Sequence, residues 1–346
     1  MAAQSVEPAP KSLSTQLAFR PIGDDQFISV IPPDQMGNSK SIAYGGCTIS
    51  ASLHAAFQTV GPNYALYSAT GSFLGPSLID RPFIARVRRV RDTRSFATRV
   101  IDLSQSTEAL PYETLARAAK EKPEKNERKV MIMIADFQTP EPETMLQYSV
   151  KPFRQYSPVE ICKPNDQTAL EMEEKGLLPP GVSEGLKKGF GLIKKLEFEQ
   201  RAAPEGVMGQ NFGAAAKWLK TSQDDLDVTE KTSADYFRHI GTTQTQAENV
   251  CGLSFMMDGA LSFIPLAHSG MWFDETGPCS TLDFALRLYV TKIDLSKWHL
   301  REWRTMVADH ARTYTESRLF DETGTKLVAN MTQQCILRPA PKKEKL

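Results

Sequence analysis

The sequence has no charge imbalance: its 346 residues hold 41 Lys and Arg against 41 Asp and Glu. Without a basic excess the simplest electrostatic case for nucleic-acid binding falls away, and a small molecule or another protein is the default partner. Cysteine is scarce. Cys47, Cys162, Cys251, Cys279 and Cys335 are odd in number, widely spaced, never a CxxC pair and set mostly in apolar surroundings. This spacing argues against a disulfide framework and a cysteine zinc site, and reads as reduced core thiols of an intracellular protein. Cys251 and Cys279 have nothing basic beside them to lower a thiol pKa, so they too read as structural. His54, His239, His268, His299 and His310 are scattered and fall in no Ser/His/Asp or Cys/His pattern, so none is given a catalytic role. There is no Gly-rich phosphate loop, and no cofactor or metal is expected. The first dozen residues lack the apolar core of a signal peptide, and no uncharged run reads as a membrane span once its Gly, Ser and Pro are counted.

What is present centres on Asn249 to Phe273, which is almost wholly apolar and carries one formal charge, Asp258. Leu253, Met256, Met257, Ala260, Leu261 and Ile264 follow the period of a packed helix, and Phe255 and Phe263 add apolar flanks. Such a helix is expected to be buried. An ionised carboxylate inside it costs several kcal/mol unless hydrogen bonds hold it. Asp258 is therefore either satisfied by neighbouring hydroxyls and amides or kept for chemistry.

Taken in order, the chain starts with a loose tail to about Ser14, then strand-like Phe27 to Ile31. The charge-free run Ser41 to Ile79 contains Tyr44-Gly45-Gly46 and a small-residue helix from Cys47 to Val60, closed by Gly61-Pro62. Tyr64 to Phe73, Phe83 to Val90, a strand opening at Arg94 and Val130 to Gln138 read as strands, with a Lys/Glu-rich insertion from Thr107 to Lys129. Arg86, Arg88, Arg89 and Arg91 read as a solvated strand face, with the phosphates of coenzyme A as the alternative. From Thr139 to Lys195 prolines and charge clusters suggest a linker with local helix. Leu196 to Gln200 and Ala215 to Lys220 look like further strands.

The second half then repeats the first: a buried helix (Val250 to Leu266), strand-like Ser280 to Val290, Arg312-Thr-Tyr-Thr315 matching Arg94-Ser-Phe-Ala97, and Lys326 to Gln333 matching Lys129 to Gln138, each closing on a glutamine. This is a duplicated α+β module in which a curved, mostly antiparallel sheet wraps one long helix. The expected divisions are residues 1–150, a linker or insertion over 151–195, and 196–346.

The motifs resemble those of acyl-CoA thioesterase II, the TesB-like enzymes built from two fused hotdog domains, over nearly the whole chain apart from the tail and middle insertions. Tyr44-Gly45-Gly46 and Ala135-Asp-Phe-Gln138-Thr-Pro look like that family's first-half elements. Ser254-Phe-Met-Met-Asp258, Ser280-Thr281-Leu-Asp283 and Thr332-Gln333 fall where the family has its catalytic Asp, Thr and Gln. The resemblance implies a double hotdog of α+β class, with Asp258, Thr281 and Gln333 as the catalytic set. Asp258 would take the proton of a water held by Thr281 and Gln333, and backbone N–H groups at a helix start would stabilise the oxyanion. Two departures stand out. The strand after Thr281 reads Asp283-Phe-Ala-Leu-Arg-Leu-Tyr289 where the family has a histidine, a serine and aromatics, and Thr70 replaces a first-half histidine.

The resemblance thus points to hydrolysis of acyl-CoA, or of an acyl thioester on a carrier protein, and leaves homo-oligomer formation open. The alternatives are an enzyme releasing or modifying a carrier-bound product in a specialised pathway, a hotdog dehydratase or hydratase, and a non-catalytic acyl-binding protein. A dehydratase should carry an Asp and His pair, yet no histidine lies between Val250 and Ala267. The terminal Glu344-Lys345-Leu346 shares two residues with the peroxisomal S-K-L signal but has Glu in place of a small residue. The cytoplasm is the expected address and the peroxisome the alternative.

Overall fold

The computed structural model describes residues 12–340 except 38–39, 214, 217 and 273–274. The first half contains α1 (Leu13–Leu17), β1 (Phe19–Gly23), β2 (Gln26–Ser29), α2 (Gly45–Phe57), β3 (Ala65–Phe73), β4 (Ile84–Asp92), β5 (Phe96–Ser106), α3 (Tyr112–Glu121) and β6 (Glu127–Gln138). Residues 165–195 form α4 (Asn165–Glu174), α5 (Val182–Gly189) and α6 (Gly191–Lys195). The second half runs β7 (Phe198–Ala202), α7 (Val207–Asn211), β8 (Ser233–His239), α8 (Gln246–Met257), α9 (Ile264–His268), β9 (Thr276–Leu288), β10 (His299–Asp309), β11 (Arg312–Phe320) and β12 (Leu327–Pro339).

The strands make one 12-stranded sheet in the order β1-β2-β4-β5-β6-β3-β9-β12-β11-β10-β8-β7. Read outward from the β3–β9 seam, the two halves have the same sequence of neighbours, so the sheet is a duplicated six-strand unit. At the seam Ser68 to Ser72 pair antiparallel with Arg287 to Asp283. This is the double hotdog: α2 and α8, both buried, lie against the inner face and pack on each other. The N-terminus of α2 lies beside the C-terminus of α8, since a Cβ on Gly45 would sit 2.8 Å from Asp258 Oδ2.

β-Bulges establish which residues of the two halves correspond. In the β3–β6 pair the register shifts between Leu66 and Ser68, opposite Phe137 and Asp136. The β9–β12 pair shifts in the same place, between Thr281 and Asp283, opposite Cys335 and Gln334. Counting from these bulges, Leu66 is the counterpart of Thr281 and Ala135 the counterpart of Gln333. The bulges of β4 and β10 agree, because they equate Arg99 with Thr315, and these pair with Ala135 and Gln333 respectively. The repeat is therefore real, but the match of closing glutamines is not. Gln138 follows the buried Phe137 and points away from the helices, whereas Gln333 is fully buried on the inner face. In a strand a small offset exchanges the faces, so short motif matching cannot hold the register.

Two other expectations change, and β10 is a strand for which the sequence raised none. The helix expected over Val250 to Leu266 ends at Met257, and Asp258 is its C-cap rather than an interior residue. Ala260 then takes a positive φ of 75°, and Pro265, in the first turn of α9, starts a new helix. Because the turn residues are also apolar, the helical period ran through the break. The described residues in the stretch expected as a strand over Ala215 to Lys220 form turns: the amides of Ala215, Ala216 and Leu219 bond back to Phe212, Asn211 and Ala216. Finally, β10 hid behind its charges. Arg301 and Glu302 are neighbours on it and both are buried, Arg301 paired with Asp235 at 2.7 Å and Glu302 accepting from the Phe153 amide at 2.9 Å. Burial pushes the Glu302 carboxyl up to about 7.

Candidate active site

α8 carries charge only at its ends. Thr245 and Glu248 close its N-terminus in a capping box, and Asp258 follows its last turn. The last carbonyls of a helix have no partner within it. Here they are taken by side chains: the Tyr44 hydroxyl donates to Phe255 O at 2.8 Å, and the Arg301 guanidinium donates to Met256 O. Arg301 is itself wedged between the rings of Phe237 and Trp303 and held by Asp235. Removing one partner from such a buried pair costs about 3–5 kcal/mol, so the platform under Asp258 is stiff.

The structure brings Asp258, Thr281 and Gln333 together in a chain of hydrogen bonds. The Thr281 hydroxyl donates to Gln333 Oε1 at 3.0 Å, and Gln333 Nε2 donates to Asp258 Oδ1 at 2.6 Å. The bulge in β9 matters here. Thr281 lies opposite the buried Cys335, so it faces inward beside Gln333. Gln333 has a single amide orientation compatible with both bonds, accepting from Thr281 and donating to the carboxylate.

The other carboxylate oxygen faces the start of α2. The Gly46 N–H and the Tyr44 hydroxyl lie close enough to the carboxylate to favour its ionised form. Only glycine fits this approach: a Cβ on Gly45 would meet Asp258 Oδ2 at 2.8 Å, and one on Gly46 would meet Phe255 O at 2.6 Å. α2 has no side-chain N-cap, and the positive end of the helix faces the Asp258 carboxylate. The candidate site is thus assembled from both halves. Tyr44, Gly45, Gly46 and Arg301 were not foreseen as parts of it. The Tyr-Gly-Gly run before a helix was the signal for the first three, and Arg301 had none, because its role depends on where β10 lies.

Burial pushes the Asp258 carboxyl up from 3.8 to about 6, against the bonds from Gln333, Gly46 and Tyr44 and the charge of Arg301, which all pull it down. A carboxylate poised near neutrality suits a general base. The Tyr44 hydroxyl is raised well above its usual range by burial and stays protonated. Three of the four arginines of β4 are engaged elsewhere: Arg86 pairs with Glu127, Arg89 with Asp25, and Arg91 lies over the Phe96 ring. Among the described residues no group of three or more His, Cys, Asp or Glu is placed to hold a metal, and no helix is long and apolar enough to cross a membrane. Glu344 to Leu346 lie outside the described residues.

A family model described as the acyl-CoA thioesterase N-terminal domain matches residues 32–113, and one described as the C-terminal domain matches residues 187–337. The chain belongs to the acyl-CoA thioesterase family. It is a TesB-like thioester hydrolase. Among solved structures, a TesB protein of Mycobacterium avium subspecies paratuberculosis shares 14% identity over 94% of this chain and 98% of its own, with a TM-score of 0.64. Acyl-CoA thioesterase II of Mycobacterium marinum shares 18% over 96% and 99%, with a TM-score of 0.60. A hotdog protein of Alicyclobacillus acidocaldarius shares 13% over 95% and 98%, also at 0.60. At these identities the likeness speaks for the fold. No curated protein matches the chain.

Proposed function

We propose that this thioesterase hydrolyses acyl-CoA to free acid and thiol, with Asp258 as general base and Thr281 and Gln333 as the groups that position the water. The observation that carries this reading is the Thr281–Gln333–Asp258 chain, ending on a buried carboxyl raised to about 6 at the open N-terminus of α2. Water loses a proton to Asp258 as its oxygen attacks the thioester carbonyl carbon. The C–S bond breaks when the tetrahedral intermediate collapses, and the departing sulfur takes up the proton. No covalent acyl-enzyme is required. The positive end of α2 is the nearest stabiliser for the oxyanion. Among the described residues no imidazole is among the groups that stabilise the Asp258 carboxylate, which weighs against a hydratase. The division into residues 1–150, 151–195 and 196–346 is proposed with this reading, as is a cytoplasmic address. Peroxisomal fluorescence of a reporter carrying the last dozen residues would overturn the latter. The function is tested by a panel of acyl-CoA and acyl-carrier thioesters assayed for thiol release. Release from acyl-CoA is expected. Binding without release would make the protein an acyl-binding module, and release from carrier thioesters alone would move the substrate to a carrier-bound product.

A further inference from the structure

At the opposite end of the α2–α8 pair lies a cavity of about 320 Å³ lined by Phe57, Leu66, Val250, Leu288, Val290 and Lys292, among others. The symmetry of the fold makes this the counterpart of the Asp258 end. Leu66 corresponds to Thr281, and the C-cap of α2, corresponding to Asp258, is the exposed Gln58. The buried Ala135 replaces Gln333. α8 differs from α2 in the same direction, because Thr245 accepts from the Glu248 amide at 3.2 Å and Glu248 accepts from the Thr245 amide at 3.1 Å. Among the described residues this end therefore has no counterpart of the base, of the water-positioning pair or of the uncapped helix start, yet it keeps a cavity at the lower edge of the roughly 300–1,000 Å³ range of ligand pockets. Its walls are mainly apolar, and Gln246 is satisfied by the backbone of Ile293 at 3.0 and 3.1 Å. Lys292 is the one charged residue lining it, is exposed, and has no ion-pair partner among the described residues.

We infer that this cavity is a second, non-hydrolytic site for an aliphatic carboxylate of medium length, with the chain among Leu66, Val250 and Leu288 and the carboxylate at Lys292. Free fatty acid is the product that the proposed reaction releases, so the inference extends that reading. It does not depend on hydrolysis taking place. The volume accommodates an alkyl chain, and a lone ammonium beside apolar walls selects an anionic head on an apolar tail.

The test is calorimetric titration of the full chain with sodium dodecanoate. Wild type is expected to bind, Asp258→Asn to bind equally, Val290→Trp to lose binding by filling the cavity, and Lys292→Ala to bind several-fold more weakly. Val290→Trp and Lys292→Ala should keep wild-type thiol release at low substrate. Absence of binding to wild type would overturn the inference, and so would binding that survives Val290→Trp but disappears in Asp258→Asn. Lys292→Ala, an exposed change, keeps the question open to test should the tryptophan variant not fold. Loss of thiol release from every acyl-CoA, with dodecanoate binding intact, would defeat the proposed function and leave the second site standing.

Discussion

The two ends of the α2–α8 pair are built from equivalent positions and do opposite things with them. One end gathers Asp258, Thr281, Gln333 and the uncapped start of α2; the other has Gln58, Leu66, Ala135 and a self-capped α8. The scaffold is common to both: an antiparallel seam, matching bulges and a helix terminus of each sign. Chemistry therefore lies in a few side chains and in whether a helix N-terminus is left open, while the hotdog supplies places and directions. The glycines make the same point. Gly45 and Gly46 let α2 approach the carboxylate closely, an approach that at the other end would meet the Thr245–Glu248 capping box.

The most forceful way to break this comparison is Asp258→Asn. Thiol release should fall by about 10²–10⁴-fold with circular dichroism unchanged, because the amide cannot accept the water's proton. Wild-type turnover in this variant would make the two ends equivalent in kind. Next come Thr281→Val and Gln333→Ala, expected to lower turnover by roughly 10–10²-fold through misplacement of the water. A fall as large as that of Asp258→Asn would move proton transfer away from the carboxylate.

The pH dependence sharpens the comparison further. Asp258 must be ionised to act, so kcat/KM should decline below about pH 6, the value to which burial raises it. Stability runs the other way. A carboxyl raised from 3.8 to about 6 on folding contributes fully below about pH 4 and loses that contribution as pH rises through 6. Asp258→Asn does not titrate, so the stability of wild type relative to the variant should fall between pH 4 and 7 in urea titrations. A pH-independent difference would mean that the carboxyl is not raised. The smallest effect is expected from Gln58→Asp placed in the Asp258→Asn background. A carboxylate alone at this exposed C-cap, without a Thr/Gln pair or an open helix start, should restore no measurable thiol release. Recovery of activity would show that the capping box and the Thr/Gln pair are dispensable.

Much of this was legible in the residues. The charge-free helices, the strand composition and the duplicated order pointed to two α+β modules, because burial writes itself into apolar periodicity. Asp258 stood out as the single charge in a long apolar run. β10 was not legible, since Arg301 and Glu302 made a buried strand look like surface, and their partners Asp235 and Phe153 are far away in sequence. Nor was the equivalence of the two halves, which matching on Gln138 and Gln333 placed on opposite sheet faces.

By itself the sequence determined the class of fold, the duplicated module and the candidate residues, because these depend on local periodicity and residue chemistry. Only the tertiary structure decided that Asp258 caps α8 and does not sit inside it, that a bulge faces Thr281 toward Gln333, and that the first half lends the start of its helix to the second half's carboxylate. Those facts rest on strand register and helix packing. Both are set by contacts between residues some 50 to 210 positions apart, such as Thr281 with Gln333 and Tyr44 with Phe255, which no local pattern records.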